Sequence, residues 1–303
     1  MEMNMGYKSG FVAIIGKPNA GKSTVMNSIL GEKIAAVSSK PNTTRNRIFG
    51  IHSTEEYQIV FLDTPGIHTP KDKLNKFMVN QAYSAFGEAD VICLIVVAGK
   101  KPDQEYETMI KHLKPFKGNT MLIINKTDLT DEDNAKQTAE KFNSLYQFDK
   151  TLLVSALNPA DIEKVENEII PLLPEQPPYF PVDILTTAPE KDICAEFIRE
   201  KIFLLTGKEL PYSCAVMVNA FEEFEDIINI QADINVERDS QKGMIIGKGG
   251  KKIKQIGIDA RKDIENLLGV QVYLEIKVKV QKNWSKDEKA LERFGYKKSK
   301  NPE

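Results

Sequence analysis

The most restrictive feature of the 303-residue sequence is Gly16-Lys17-Pro18-Asn19-Ala20-Gly21-Lys22-Ser23, a run that fits G-x-x-x-x-G-K-[ST] and continues into Thr24. An apolar segment, Phe11 to Ile15, precedes it, and a helical pattern, Ser23 to Leu30, follows. Strand, glycine-rich turn and helix in that order form a phosphate-binding loop, in which backbone N–H groups and a helix N-terminus face an anion. Lys22 is placed to bridge the β- and γ-phosphates, and Ser23 to ligate Mg²⁺. Such a loop sits at the carboxyl edge of a mostly parallel sheet, so it constrains the fold as well as the ligand.

The surrounding sequence agrees. Phe11 to Ile15, Tyr57 to Leu62, Val91 to Val97, Thr120 to Ile124 and Thr151 to Val154 read as short buried strands alternating with helical patterns. That alternation implies an α/β domain with a mixed, mostly parallel sheet covered by helices on both faces. The proline-rich stretch Pro171 to Pro181 can neither continue a helix nor enter a central strand. We therefore expect one domain over residues 1–176 and a second over 177–303. In the second, a helix over Pro189 to Leu205, strands over Cys214 to Ala220 and Ile228 to Val236, a glycine-rich turn, a helix ending at Leu268, a strand over Val270 to Val280 and a helix over Lys286 to Phe294 give an α+β arrangement.

Three motifs specify the nucleotide. Asp63-Thr64-Pro65-Gly66 follows a strand, so Asp63 can hold Mg²⁺ and the Gly66 N–H can reach a γ-phosphate; alone the tetrapeptide would read as a turn. Asn125-Lys126-Thr127-Asp128 ends the next strand but one, and a carboxylate that accepts two N–H bonds suits guanine and repels adenine. Ser155-Ala156-Leu157, after the last strand, is placed to offer a backbone N–H to the guanine carbonyl. The residue after Gly66 is Ile67, where a water-orienting Gln often stands.

Other classes are disfavoured. The longest apolar run, Val91 to Ala98, is far shorter than the ~20 residues that cross a bilayer, and Met1 to Gly10 has neither a secretory nor a transit pattern, so a cytoplasmic protein is expected. Cys93, Cys194 and Cys214 lack metal or disulfide spacing, and His52, His68 and His112 are dispersed.

Net charge is only −2, but from Ser240 onward sixteen Lys and Arg stand against eight Asp and Glu. Within that basic region Ile245-Ile246-Gly247-Lys248-Gly249-Gly250 leads into Lys251-Lys252 and a helix. A G-x-x-G loop opening a basic helix suits a nucleic-acid backbone: Gly247 and Gly250 admit it, Lys248 neutralises phosphate, and Ile245 and Ile246 would floor an apolar groove for bases. A second nucleotide loop or a flexible turn is the alternative, weakened because no Ser or Thr follows this G-K in register.

The four nucleotide elements resemble the translation-factor-related GTPases, and Asn42-Thr43-Thr44-Arg45 resembles the switch I segment of the Era and tRNA-modification GTPases. That resemblance makes Thr44, rather than Thr43, the Mg²⁺ ligand that senses the γ-phosphate, and with Lys22 and Gly66 it forms the expected catalytic set. Ile67 is similar to GTPases with a hydrophobic residue at that position, in which an Asn at the place of Asn19 helps bind K⁺; Asn19 otherwise only shapes the loop. The C-terminal order resembles a KH domain of the second topological type, and Ile198-Arg199-Glu200-Lys201, Glu209-Leu210-Pro211-Tyr212 and Phe294-Gly295-Tyr296 also look familiar. Taken over its whole length the chain resembles the Era GTPase family. The resemblance implies a monomeric cytoplasmic GTPase of 30S ribosomal subunit assembly that takes GTP or GDP with Mg²⁺. It further implies binding to the 3′ end of the 16S rRNA, with peripheral contact at the cytoplasmic face of the membrane as a further expectation. The competing reading is an RNA-binding module whose G domain binds nucleotide and hydrolyses it weakly.

Overall fold

A computed structural model describes residues 6–38, 40, 42–70, 72–207 and 210–296. The tail Lys297 to Glu303, for which the sequence suggests weak electrostatics alone, lies outside the described residues, as does Glu209. Contacts divide the chain into two units, one comprising residues 1–33, 44–70 and 78–187, the other 34–43, 71–77 and 188–303.

The first unit is built on a six-stranded sheet. Its elements are β1 (Lys8–Gly16), α1 (Lys22–Leu30), β2 (Ile48–Ser53), β3 (Tyr57–Asp63), the later part of α2 (Lys73–Ser84), β4 (Val91–Val97), α3 (Gln104–Leu113), β5 (Asn119–Asn125), α4 (Glu132–Asn143), β6 (Lys150–Leu153) and α5 (Pro159–Ile169). The strand order is β2-β3-β1-β4-β5-β6, with β2 antiparallel to β3 and every other pairing parallel. Central strands covered on both faces read as unbroken apolar runs, which is why β4 is Val-Ile-Cys-Leu-Ile-Val-Val with no polar interruption. Ala13, Ile15, Leu94, Leu122 and Ile124 form its core with Met109, Ile110 and Phe142 from the covering helices. Burying each large aliphatic side chain stabilises the unit by about 1.5–3 kcal/mol before entropy is counted.

The unit boundary falls between Thr187 and Ala188, beyond the expected 176/177. Hydrogen bonds that no local pattern announces hold the proline-rich stretch and its continuation to the first sheet. The buried Gln58 carboxamide donates from Nε2 to the Phe180 carbonyl (2.8 Å) and accepts at Oε1 from the N–H groups of Tyr179 (2.8 Å) and Phe180 (3.0 Å). Further along, Ile51 N–H donates to the Leu185 carbonyl and the Thr186 hydroxyl to the Phe49 carbonyl. The prolines give a stiff extended segment, but it serves as a strap rather than a free linker.

The second unit contains α6 (Glu190–Leu205), β7 (Cys214–Glu223), β8 (Ile227–Val236), α7 (Asp239–Ile246), α8 (Lys251–Leu268), β9 (Gln271–Val280) and α9 (Glu288–Arg293). Its sheet runs β7-β8-β9, with β7 and β8 antiparallel and β8 and β9 parallel. Phe197 and Ile198 from α6, Ile230 and Ile234 from β8, and Ile256, Ala260 and Ile264 from α8 share one core. The i, i+4, i+8 spacing on α8 is an amphipathic helix burying one stripe. A separate eight-residue helix, α7, stands where only a turn was expected, so the G-x-x-G loop joins two helices.

Candidate functional site

The phosphate loop joins β1 to α1, and its conformation depends on missing Cβ atoms. Gly16 and Gly21 have φ of 149° and 99°, and a Cβ on Gly16 would lie 2.4 Å from the Ile95 carbonyl oxygen. Lys22 is 6% exposed, and its ammonium donates to the carbonyls of Lys17 (3.0 Å) and Gly16 (3.4 Å). Burial lowers its pKa to about 8, opposed by the Asp63 charge. Ala20 is fully buried and Thr24 half-buried on the first turn of α1.

Ser23, Asp63 and Thr44 converge from three separate segments. The Ser23 hydroxyl donates to Asp63 Oδ2 (2.5 Å) and lies 3.0 Å from the Thr44 hydroxyl. Burial raises the Asp63 carboxyl to about 6, while Lys22 and the Ser23 and Thr44 hydroxyls pull it down. Its Oδ1 is buried without a hydrogen-bond partner. Two hydroxyls around a carboxylate with an uncommitted oxygen make a hard, all-oxygen donor set, the chemistry that fits Mg²⁺. Thr43 is turned elsewhere: its hydroxyl donates to the Lys40 carbonyl and pairs with Ser38.

After Asp63, the Thr64 hydroxyl donates to the Ile14 carbonyl (2.7 Å) and Ile67 N–H to the Gly16 carbonyl (3.0 Å). Pro65 and Gly66 are buried between them, and Gly66 lies so close to the phosphate loop that a Cβ there would sit 2.5 Å from the Pro18 nitrogen. The Ile67 side chain is buried in the core, so it presents nothing to orient water.

Asn125 closes the site from the other side. Its Nδ2 donates to the Ala20 carbonyl (2.9 Å) and its Oδ1 accepts from Ala156 N–H (3.0 Å). Asn125 thereby staples the phosphate loop to the Ser155-Ala156-Leu157 loop, and its second Nδ2 hydrogen stays available for a nucleotide. Lys126 adopts a left-handed conformation, φ 63°, and Asp128 accepts from the Ser155 hydroxyl (2.6 Å). Thr127, Asp128, Ser155, Leu157, Asn158 and Asp161 line a cleft of about 450 Å³. Asp161, which the sequence reading passed over, accepts from Ser155 N–H (2.8 Å) and orients that loop. The Lys17 ammonium pairs with Asp103 and with Glu105 (2.9 Å), so this residue serves the loop through its backbone, and Glu105 also accepts from Thr69 N–H (2.8 Å).

In the second unit, Gly247 ends α7 at φ 72°, where a Cβ would lie 2.7 Å from Lys252 Cβ. A Cβ on Gly249 or Gly250 would meet nothing within 4 Å, so the outer face of the loop is bare backbone. Lys248 and Lys251 are exposed and Lys252 half-buried. Ile245 is fully buried in the core, and Ile246 packs partly buried against it, which removes Ile245 from the expected groove floor. A cleft lies further along. Ile253, Lys254, Gly257, Ile258 and Arg261 on one face of α8, with Tyr273, Leu274 and Ile276 on β9, line a cleft of about 350 Å³. Their i, i+1, i+4, i+5, i+8 spacing marks one helical face, which the sequence analysis did not single out. Pairing that face with an edge strand needed the fold.

Residues 11–126 match the family described as 50S ribosome-binding GTPase, and residues 209–285 match the KH domain. GTPase Era of Geotalea daltonii is 49% identical over 291 residues, covering 96% of this chain and 98% of the relative. The chain belongs to the Era GTPase family. GTPase Era of Alkaliphilus metalliredigens is 45% identical over 294 residues, covering 96% of this chain and 100% of the relative. Among solved structures, an Era in complex with MgGDPNP and nucleotides 1506–1542 of 16S ribosomal RNA matches with a TM-score of 0.91 and 37% identity, covering 96% of this chain and 99% of that one. A point variant of Aquifex aeolicus Era bound to GDP·AlF4⁻ matches equally well, with a TM-score of 0.91 and 37% identity, covering 95% of this chain and 99% of that one. The fold expected for an Era-type chain, a P-loop α/β unit followed by a KH unit, is therefore the one present.

Proposed function

We propose that this chain is a GTP-hydrolysing switch that binds the 3′ end of 16S rRNA through its KH unit and acts in 30S subunit assembly. The observation that carries the reading is the near-full-length match to an Era that holds both MgGDPNP and 16S nucleotides 1506–1542. Both residue sets such ligands need are present here. Lys22 faces the phosphates, Asp128 reads guanine with the Ser155-Ala156-Leu157 loop, and Ser23, Thr44 and Asp63 would hold Mg²⁺. When bound, that ion neutralises charge on the phosphate oxygens. Thr44 and the Gly66 N–H sense the γ-phosphate, so its loss releases both segments. On the RNA side, Gly247 to Gly250 clamp the backbone, Lys248, Lys251 and Lys252 neutralise phosphates, and the α8–β9 cleft takes bases.

Ile67 has no group to orient the attacking water, and K⁺ held with the help of Asn19, which lies in the phosphate loop with a left-handed backbone (φ 62°), would supply charge at the phosphates. Equal GTP turnover in KCl and NaCl would remove K⁺ from the account. A monomer in the cytoplasm with peripheral contact at the membrane surface completes the proposal, and no described helix is long and apolar enough to cross a membrane. Failure to float with anionic vesicles would remove the membrane contact. Single-turnover GTP hydrolysis, with and without a 3′-terminal 16S oligonucleotide, tests the enzyme: phosphate release supports the switch, and none in either condition favours a binding module.

A further inference from the structure

Three consecutive charged residues on α6 are almost completely buried: Arg199 is 1% exposed, Glu200 3% and Lys201 8%. Long charged side chains are rarely enclosed unless paired, and buried ion pairs contribute little net stability relative to apolar replacements. Arg199 pairs with Glu196 on α6 itself, and the other partners of the three fall into two groups, both inside the second unit. On one side is the segment 34–43. Glu200 Oε2 accepts from Val37 N–H (2.8 Å), Arg199 donates to the Thr43 carbonyl, and Lys40 donates back to the Phe203 and Thr206 carbonyls at the carboxyl end of α6. On the other side is α8: the Lys201 ammonium binds Glu200 Oε1 (2.9 Å) and the Asp263 carboxylate.

Asp263 lies on α8 two residues beyond Arg261, a lining residue of the base cleft, and Thr43 is bonded to Thr44. We propose that Asp263, Lys201, Glu200 and the Val37 N–H form a polar relay between the groove helix and the segment that presents Thr44, with Glu200 and Arg199 as positioning residues for GTP hydrolysis. The chemistry suits the task. A carboxylate shared between a backbone N–H and an ammonium holds the segment in one register, and any shift of α8 that draws Lys201 away weakens the grip on Val37. Coupling of this kind is reciprocal: whatever RNA does to Thr44 through the relay, Thr44 bound at its metal does to RNA.

The relay rests on the switch reading above, and the test separates the two. The full chain is titrated with a fluorescent 3′-terminal 16S oligonucleotide in Mg-GppNHp and in Mg-GDP, and the ratio of affinities is compared across variants. The wild type should show a ratio above about fivefold. Asp263→Asn and Lys201→Met should bring it within about twofold of unity with GDP-state RNA affinity unchanged, and Lys201→Arg should keep it. Glu200→Ala should lower kcat about tenfold at unchanged GDP affinity, with Glu200→Gln, which still accepts from Val37, restoring most of the loss. A wild-type ratio of unity overturns the switch reading and the relay with it. A wild-type ratio above about fivefold that persists in Asp263→Asn overturns the relay alone. Should Lys201→Met fail to fold, Asp263→Asn, at a more exposed position, decides.

Discussion

Replacing Gly66 by alanine tests how closely the γ-phosphate sensor is set against the phosphate loop. The new Cβ would lie 2.5 Å from the Pro18 nitrogen and 2.6 Å from its Cα, where ordinary contact begins at 3.4 Å. One side must therefore move by about 0.9 Å, the difference between 3.4 and 2.5 Å. Pro18 sits in a loop anchored by β1 and α1 and stapled through Asn125 to Ala20, so the displacement passes to residues 65–67 and stretches the 3.0 Å bond from Ile67 N–H to the Gly16 carbonyl. A misplacement of about 1 Å at a positioning group costs roughly a hundredfold in rate, or about 2.7 kcal/mol of barrier. Single-turnover hydrolysis should show that loss in Gly66→Ala while GDP affinity stays within about threefold. A rate within about threefold of wild type would refute the idea that this close approach sets the position of residues 65–67.

Further outcomes follow from the same geometry. Asp128→Asn should weaken GTP binding by roughly 10- to 100-fold, the worth of hydrogen bonds to a charged acceptor, and admit xanthosine triphosphate; unchanged GTP affinity would displace the guanine pocket. Asp63 has its carboxyl raised to about 6 in the folded chain, so what protonated Asp63 contributes to stability is lost as pH rises from about 4 through 6. Mg²⁺ needs the ionised form, and its affinity should rise through the same window, falling about tenfold per pH unit below 6; a flat Mg²⁺ titration between about pH 5 and 7 would reject the assignment. Lys248→Ala should lower the salt slope of RNA binding by about one, and an unaltered slope would remove Lys248 from the phosphate contacts. Gly257→Leu should fill the α8–β9 cleft and abolish RNA binding while thermal stability holds; retained binding would put the bases elsewhere.

Much of the nucleotide site was legible because its chemistry depends on residue types at fixed positions along one strand-loop-helix connection. Only glycine accepts the backbone of Gly16, and only a carboxylate matches the guanine edge expected at Asp128. What was not legible depends on residues distant in sequence. That Asn125 staples the phosphate loop shows only once its carboxamide is seen bonded to Ala20 and Ala156. The ammonium of Lys17 finds its partners only once α3 and the residue that caps it bring Glu105 and Asp103 beside it. In the second unit, Ile245 and Ile246 are adjacent and equally apolar, yet the turn of α7 sends Ile245 inward and leaves Ile246 at the rim. The unit boundary falls at Thr187 because Gln58, a polar residue in a strand with no periodic signal of its own, holds the proline-rich stretch, and Ile51 and Phe49 hold its continuation.

In the proposed switch, the state of the nucleotide times the encounter with the 3′ end of 16S rRNA. The most direct measurement is site-mapped crosslinking of a 3′-terminal 16S oligonucleotide to the full chain in Mg-GppNHp and in Mg-GDP. Crosslinks are expected at residues 247–261 and 273–276, with a yield several-fold higher in Mg-GppNHp. Equal yields in the two nucleotides, or crosslinks confined to other surfaces, would contradict the switch.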